Sequence, residues 1–220
     1  MDMTAMVDFM SNLIYPLQGI AAIYGLFLTI LIFRRIDQKR FRSQAVADDF
    51  VNQVRERLQA RDFDSVVQLC DSPPYWSKAV PQLSLIAISN RDQPIGKLRQ
   101  LLGETFEREV LAELDYQMSW VNTVVKTAPM LGLQGTVLGM IAAFGKIAGS
   151  QRTGVDPSKL ATDISFALIT TAVGLMIAIP LVMCMASMSA GIGRLTDAVQ
   201  HQIGRVLDEL ELATAPRKKI

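Results

Sequence analysis

The sequence predicts an all-α integral membrane protein: three transmembrane helices with long cytoplasmic helical extensions. Three observations carry this. Residues 9–33, 127–145 and 164–193 are windows of 25, 19 and 30 residues without Asp, Glu, Lys or Arg. At ~1.5 Å rise per residue, even the shortest makes roughly 28 Å of helix, about the hydrocarbon thickness of a bilayer. The polar stretches between them keep apolar residues at helical spacing. Basic residues crowd directly behind the first window, as they do on the cytoplasmic flank of a membrane span. A soluble α-helical protein with three buried core helices is the alternative, and uncharged windows of this length argue against it.

Composition narrows the function. Half of the 220 residues are hydrophobic and 20% are charged, with a formal net charge of +1, so net charge gives nucleic-acid binding no support. Cys70 and Cys184 are the only cysteines, and Cys184 lies inside the third window, which argues against a structural disulfide. His201 is the only histidine, which excludes a multi-histidine metal site. No nucleophile motif accompanies it, and no phosphate-cradling Gly-Lys-Ser/Thr ending follows Gly132-Leu-Gln-Gly135-Thr136. No catalytic residues, cofactor or metal, and no enzyme activity, are therefore expected.

Residues 1–8 carry two aspartates and no Lys or Arg, so no secretory signal is expected there, and 9–33 reads as a retained first membrane helix. Pro16 near its start is tolerated in a membrane helix. Arg34, Arg35, Lys39, Arg40 and Arg42 follow within nine residues. They anchor this flank inside and leave the N-terminus in the periplasm; lipid headgroup recognition is the other reading of the run. Residues 34–118 form a cytoplasmic helical segment. Val46, Phe50, Val54 and Leu58 make one apolar stripe, and Pro73-Pro74 and the turn 90–94 break the segment. From Ile95 the apolar positions Leu98, Leu102, Phe106, Val110, Leu114 and Met118 predict one helix running into the second span. The acidic residues along it read as a solvated face rather than as paired acid and base.

The second span, 119–146, contains four glycines in its uncharged window, two of them spaced Gly135-x-x-x-Gly139. Small residues let membrane helices approach closely, so Gly132, Gly135 and Gly139 mark a helix-packing face, and Thr136 between them is an odd choice for lipid. Residues 147–162 form a short periplasmic loop in which Asp156-Pro157-Ser158 resembles a helix start. The third span, 163–193, places Ala167, Thr171 and Gly174 on one face at i, i+4 and i+7. Ser165 and Thr170 add further hydroxyls. Beyond it, Leu195, Val199, Ile203, Val206 and Leu210 continue the helix into a cytoplasmic tail, 194–220, that packs on a neighbour and ends on Arg217-Lys218-Lys219.

Two stretches carry a resemblance to a known family. Ala128-Pro129-Met-Leu-Gly132-Leu-Gln-Gly135-Thr136-Val-Leu-Gly139 resembles the second-span APxxGLxGTVxG motif of the TolQ/ExbB/MotA proton-channel family. Ala167-Leu-Ile-Thr170-Thr171-Ala-Val-Gly174-Leu-Met-Ile-Ala178-Ile179-Pro180 resembles its third-span ALxxTAxGLxxAIP motif. The layout is similar to the ExbB/TolQ branch over essentially the whole chain. The resemblance implies a multi-pass subunit of the bacterial inner membrane that forms a homo-oligomer, a pentamer in the best-known members. It implies an ExbD/TolR-like single-span partner with a membrane aspartate, and a TonB/TolA-like protein that receives the work. It implies that Thr136 and Thr171 face the partner aspartate across the ring lumen, with Asp163, Ser165 and Thr170 as further candidates along the proton path and Gly174, Pro129 and Pro180 among the helix-packing residues. The sequence departs from the pattern at Phe166, where ExbB and TolQ members carry a glutamate. Asp163, about one turn away, either supplies that carboxylate at the channel mouth or caps the helix. The competing function is a non-conducting membrane scaffold for partner proteins.

Overall fold

The computed structural model describes residues 3–149 and 157–214. The centre of the expected periplasmic loop, with Asp156, and the basic end, with Arg217, Lys218 and Lys219, lie outside the described residues. Those described form helices without a strand: α1 Met3–Lys39, α2 Gln44–Gln59, α3 Phe63–Cys70, α4 Ala79–Ser89, α5 Ile95–Phe106, a π-helical turn Glu107–Leu111, α6 Ala112–Gly149 and α7 Pro157–Thr214. Three are long and apolar enough to cross a membrane, with candidate spans in 9–39, 95–148 and 160–214. α6 runs past the expected second span to Gly149, and α7 begins at Pro157, where the Pro157-Ser158 pair had suggested a helix start.

The chain divides into two compact units. The first comprises Met1–Leu31 and Gln117–Ser187, the apolar lengths of α1, α6 and α7. Its contacts fix the helix directions. Tyr15 meets Phe166 edge-on at 5.1 Å, Gln18 bonds to Thr170, and Gly25 lies against Leu181, so α1 and α7 run parallel. Gly139 lies against Ala167, Gly132 against Thr170 and Thr171, and Ala128 against Gly174, so α6 runs antiparallel to both. Large apolar side chains point outward, among them Ile23 at 73% and Met176 at 72% exposure. A surface of that kind suits lipid or another protein rather than water.

The second unit comprises Ile32–Tyr116 and Met188–Ile220. In α2 the buried face is Ala47, Phe50, Val51, Val54 and Leu58. Val46, expected in that stripe, is 42% exposed because Ala47 takes the inward position. The stripe of α7 named from the sequence, Leu195, Val199, Ile203, Val206 and Leu210, is buried. Ion pairs Arg205–Asp48, Arg55–Glu209 and Arg99–Asp208 flank it. Phe41, Phe50 and Tyr75 cluster with ring centroids 5.0–6.1 Å apart.

The π-helical turn replaces the uninterrupted α-helix expected from Ile95 onward. Leu98, Leu102, Phe106, Val110 and Leu114 are all buried, yet each step of four advances about 40° round an ideal α-helix. Four such steps would carry the stripe to the opposite face. A wider turn at Glu107–Leu111 absorbs the drift and returns Val110 and Leu114 to the core.

Cys70 is fully buried at the end of α3, and burial pushes its thiol up from 9.0 to about 12. The fold therefore holds the neutral thiol. A raised folded value gives stability that is complete below the ordinary value of 9.0 and is lost as pH rises toward about 12. We expect iodoacetamide at pH 8 to leave Cys70 unmodified in the folded protein and to alkylate it once denatured, read by peptide mass spectrometry. Rapid alkylation of the folded protein would contradict this burial.

Candidate functional site

The site is the face where α6 and α7 meet, and glycine makes it. A Cβ added at Gly132 would lie 2.8 Å from both the Thr170 carbonyl oxygen and Thr171 Cα. At Gly135 it would lie 2.7 Å from Thr170 Cβ, at Gly139 2.7 Å from Ala167 Cβ, and at Gly174 2.5 Å from the Ala128 carbonyl oxygen. Real Cβ atoms do not tolerate such distances, so four glycines on two helices permit backbone-to-backbone approach along the seam.

The threonine hydroxyls lie on or beside that seam and donate to backbone carbonyls. Thr171 is half-buried and donates across the interface to the Gly132 carbonyl at 2.9 Å. Thr170 is fully buried against Gly135 and donates to Ala167 of its own helix at 2.8 Å, with a longer 3.4 Å approach to Gly132. Thr136 is half-buried and donates to Leu133 one turn back at 2.7 Å. Ser165 is exposed on α7. Thr171 and Thr170 thus converge on Gly132. Thr170, expected on a lumen, is instead enclosed between α6 and α7 because Gly135 leaves room for its side chain. Pro129 is half-buried in α6 and Pro180 exposed in α7, both inside their helices.

Asp163 does not cap a helix. α7 begins at Pro157, which puts Asp163 in its second turn. Its carboxylate pairs with Lys146 of α6, at 2.8 Å to Oδ1 and 2.6 Å to Oδ2. The partnership was missed in the sequence, although these two charges close the second and open the third uncharged window on the same side of the hairpin.

Gln18 was also missed. Its side chain is fully buried, and its Nε2 donates to the Thr170 carbonyl at 2.8 Å while its Oε1 has no partner. Gly174 leaves the space, since a Cβ there would stand 3.3 Å from Nε2. An amide buried among apolar helices is costly unless bonded. Gln18 therefore ties α1 to the residue beside Thr171. The available signal was a glutamine within the first uncharged window. No group of three or more His, Cys, Asp or Glu suited to a metal occurs among the described residues.

Comparison with known proteins points the same way. The sequence pattern of the MotA/TolQ/ExbB proton channel family matches residues 77–201, more than half of the 220-residue chain. The chain is 32% identical over 99 residues to the Tol-Pal system protein TolQ of Haemophilus influenzae, covering 45% of this chain and 41% of that one. It is 34% identical over 98 residues to the biopolymer transport protein ExbB of Neisseria gonorrhoeae, covering 43% and 44%. It is 27% identical over 158 residues to the biopolymer transport protein exbB1 of Vibrio cholerae, covering 70% and 68%. The match thus spans less than half the length of the TolQ and Neisseria relatives.

Substitution of the seam glycines should separate close packing from incidental composition. Gly132→Ala and Gly174→Ala would each drive a methyl into backbone atoms, and we expect a loss of about 1–3 kcal/mol, as for overpacked cores. Gly145→Ala, where a Cβ meets nothing within 4 Å, should be neutral or slightly stabilising. Unfolding in mixed detergent micelles reads all three. Equal stability of Gly132→Ala and Gly145→Ala would contradict the seam.

Proposed function

The chain belongs to the MotA/TolQ/ExbB proton channel family, and from that premise we propose that it is an ExbB/TolQ-like subunit of a bacterial inner-membrane motor. In this reading the subunit helps convert proton motive force into mechanical work on periplasmic or outer-membrane partners. The observation that carries it is the α6–α7 seam, which lies within the matched residues and holds Thr136 and Thr171 beside glycines. The N-terminus lies in the periplasm, 34–118 and 194–220 in the cytoplasm, and the spans are 9–33, 119–146 and 163–193.

Several copies form a ring, a pentamer in this reading. It encloses the single-span helices of an ExbD/TolR-like partner with a membrane aspartate, and a TonB/TolA-like protein receives the motion. A carboxylate in hydrocarbon is unstable unless protonated or given polar partners. Thr136 and Thr171 supply such partners. Their hydrogens now rest on the carbonyls of Leu133 and Gly132, which leaves each hydroxyl oxygen able to accept from a protonated carboxyl. Turning the same hydrogen away from the carbonyl lets it donate to the ionised form. Two hydroxyl orientations thus match two states of one titrating group.

Thr170, bonded to Ala167 and packed into Gly135, sets the spacing of α6 and α7. Asp163, held by Lys146, takes the place of the absent glutamate at Phe166 toward the outer end of the path, and Ser165 adds a hydroxyl there. The non-conducting scaffold is the competing reading.

Co-reconstitution in vesicles with an ExbD/TolR-like single-span protein that carries a membrane aspartate tests the reading. We expect partner-dependent proton flux, and the double variant Thr136→Val with Thr171→Val should abolish it at unchanged oligomer size. Thr170→Val keeps the shape and should act more mildly. Normal flux through the double variant would remove the threonines from the path, and absence of flux in the unaltered complex would favour the scaffold. Periplasmic labelling of a cysteine placed at Ala60 would overturn the topology.

A further inference from the structure

Within the second unit, a cavity of about 250 Å³ opens beside the C-terminal end of α1. Pockets for drug-sized ligands run to ~300–1,000 Å³, so this one suits a smaller group. Its floor is apolar, formed by the buried Val110 and Leu114. Its walls are charged in an ordered way. α1 contributes two cations, Arg35 and Lys39; the π-helical turn and the first turn of α6 contribute two carboxylates, Glu109 and Glu113.

Parts of these walls are held in place. Arg35 pairs with Glu113, and Lys39 Nζ donates to Gln82 Oε1 at 2.8 Å. Gln82 Nε2 in turn donates to the Trp76 carbonyl at 3.0 Å, which links α1, α4 and the loop before α4. Trp76 is 61% exposed and is one of the residues lining the cavity. The π-helical turn supplies Glu109, and such turns recur at functional sites.

The level of the cavity along α1 identifies its surroundings. Arg35 and Lys39 stand two and six residues past Phe33, the last residue of the first uncharged window. When that window spans a membrane, these two side chains reach the headgroup layer, and an indole at that depth is a common interfacial anchor.

The lining charges sum to zero, with two cations against two carboxylates. An anion alone finds no excess positive charge there. A zwitterion finds both halves matched. A phosphate oxygen can accept from the ammonium of Lys39 and the guanidinium of Arg35, and a primary ammonium can donate to Glu109. A quaternary ammonium has no N–H to give, and one tryptophan is not an aromatic cage.

We propose that the cavity between the end of α1 and the π-helical turn binds the phosphoethanolamine group of a membrane aminophospholipid. The assignment stands apart from proton conduction and rests on α1 crossing a membrane.

Native mass spectrometry of the delipidated full chain tests it, with phosphatidylethanolamine, phosphatidylglycerol and phosphatidylcholine offered in turn. We expect the ethanolamine lipid to be retained at least ~10-fold better than the other two, about the effect of one charge-assisted hydrogen bond. Glu109→Gln removes a rim charge without touching the core and should erase the preference for ethanolamine over choline. Lys39→Met should weaken retention of all three. Free O-phosphoethanolamine at equal concentration should not displace the lipid. Equal retention of the three lipids, or an unchanged preference in Glu109→Gln, would overturn the assignment. Full displacement by O-phosphoethanolamine would overturn the lipid as its source.

Discussion

The close approach of α6 and α7 is the constraint on which the membrane unit depends. Between helices in lipid, burial of apolar surface gives little advantage, because acyl chains are as apolar as leucine. What remains is dispersion at short range and hydrogen bonds across the seam. Gly132, Gly135, Gly139 and Gly174 remove the side chains that would hold the backbones apart, and the Thr171 hydroxyl then reaches the Gly132 carbonyl. Neither feature works without the other. A methyl at 132 would lift α7 off α6, and at that separation the cross-helix bond to the same residue would be lost.

Other features follow from this seam. Thr170 fills the space that Gly135 vacates, and Gln18 reaches the Thr170 carbonyl through the space that Gly174 leaves. α1 is thereby fastened to the hairpin at the level of the hydroxyls, and a movement of α7 alone would strand a buried amide. Near the loop end, the Lys146–Asp163 pair joins the two helices again. Gln18, Thr170 and Thr171 lie where these helices meet, whereas Gln134 and Ser165 are exposed.

Much of this was legible in the sequence. Charge-free windows of 25, 19 and 30 residues admit little except membrane helices, and glycines spaced by four on one of them point to a packing face. Less legible was anything that depends on which partner a side chain meets. Asp163 read as a helix cap or as the carboxylate of the channel mouth, because its pairing with Lys146 depends on how the hairpin closes. Gln18 drew no attention because a single glutamine does not disturb a hydropathy window. The π-helical turn was recoverable in principle: apolar residues at strict intervals of four from Leu98 to Leu114 cannot stay on one face of a regular α-helix. The inward choice of Ala47 over Val46 could not be read from hydrophobicity, since packing favoured the smaller residue.

The most direct test of the seam is a disulfide across it. With Cys70 and Cys184 replaced by alanine, Gly139→Cys and Ala167→Cys place two thiols where a Cβ at residue 139 would stand 2.7 Å from that of Ala167. Disulfides need Cβ atoms about 3.5–4.5 Å apart, so the two backbones must part locally by about 1 Å, and the covalent bond then holds them at that distance. The account predicts rapid intramolecular cross-linking in native membranes under mild oxidation, and much slower cross-linking of the outward-facing pair at Met140 and Leu168. Cross-linking of the outward pair as fast as the 139–167 pair, or none at 139–167, would contradict it.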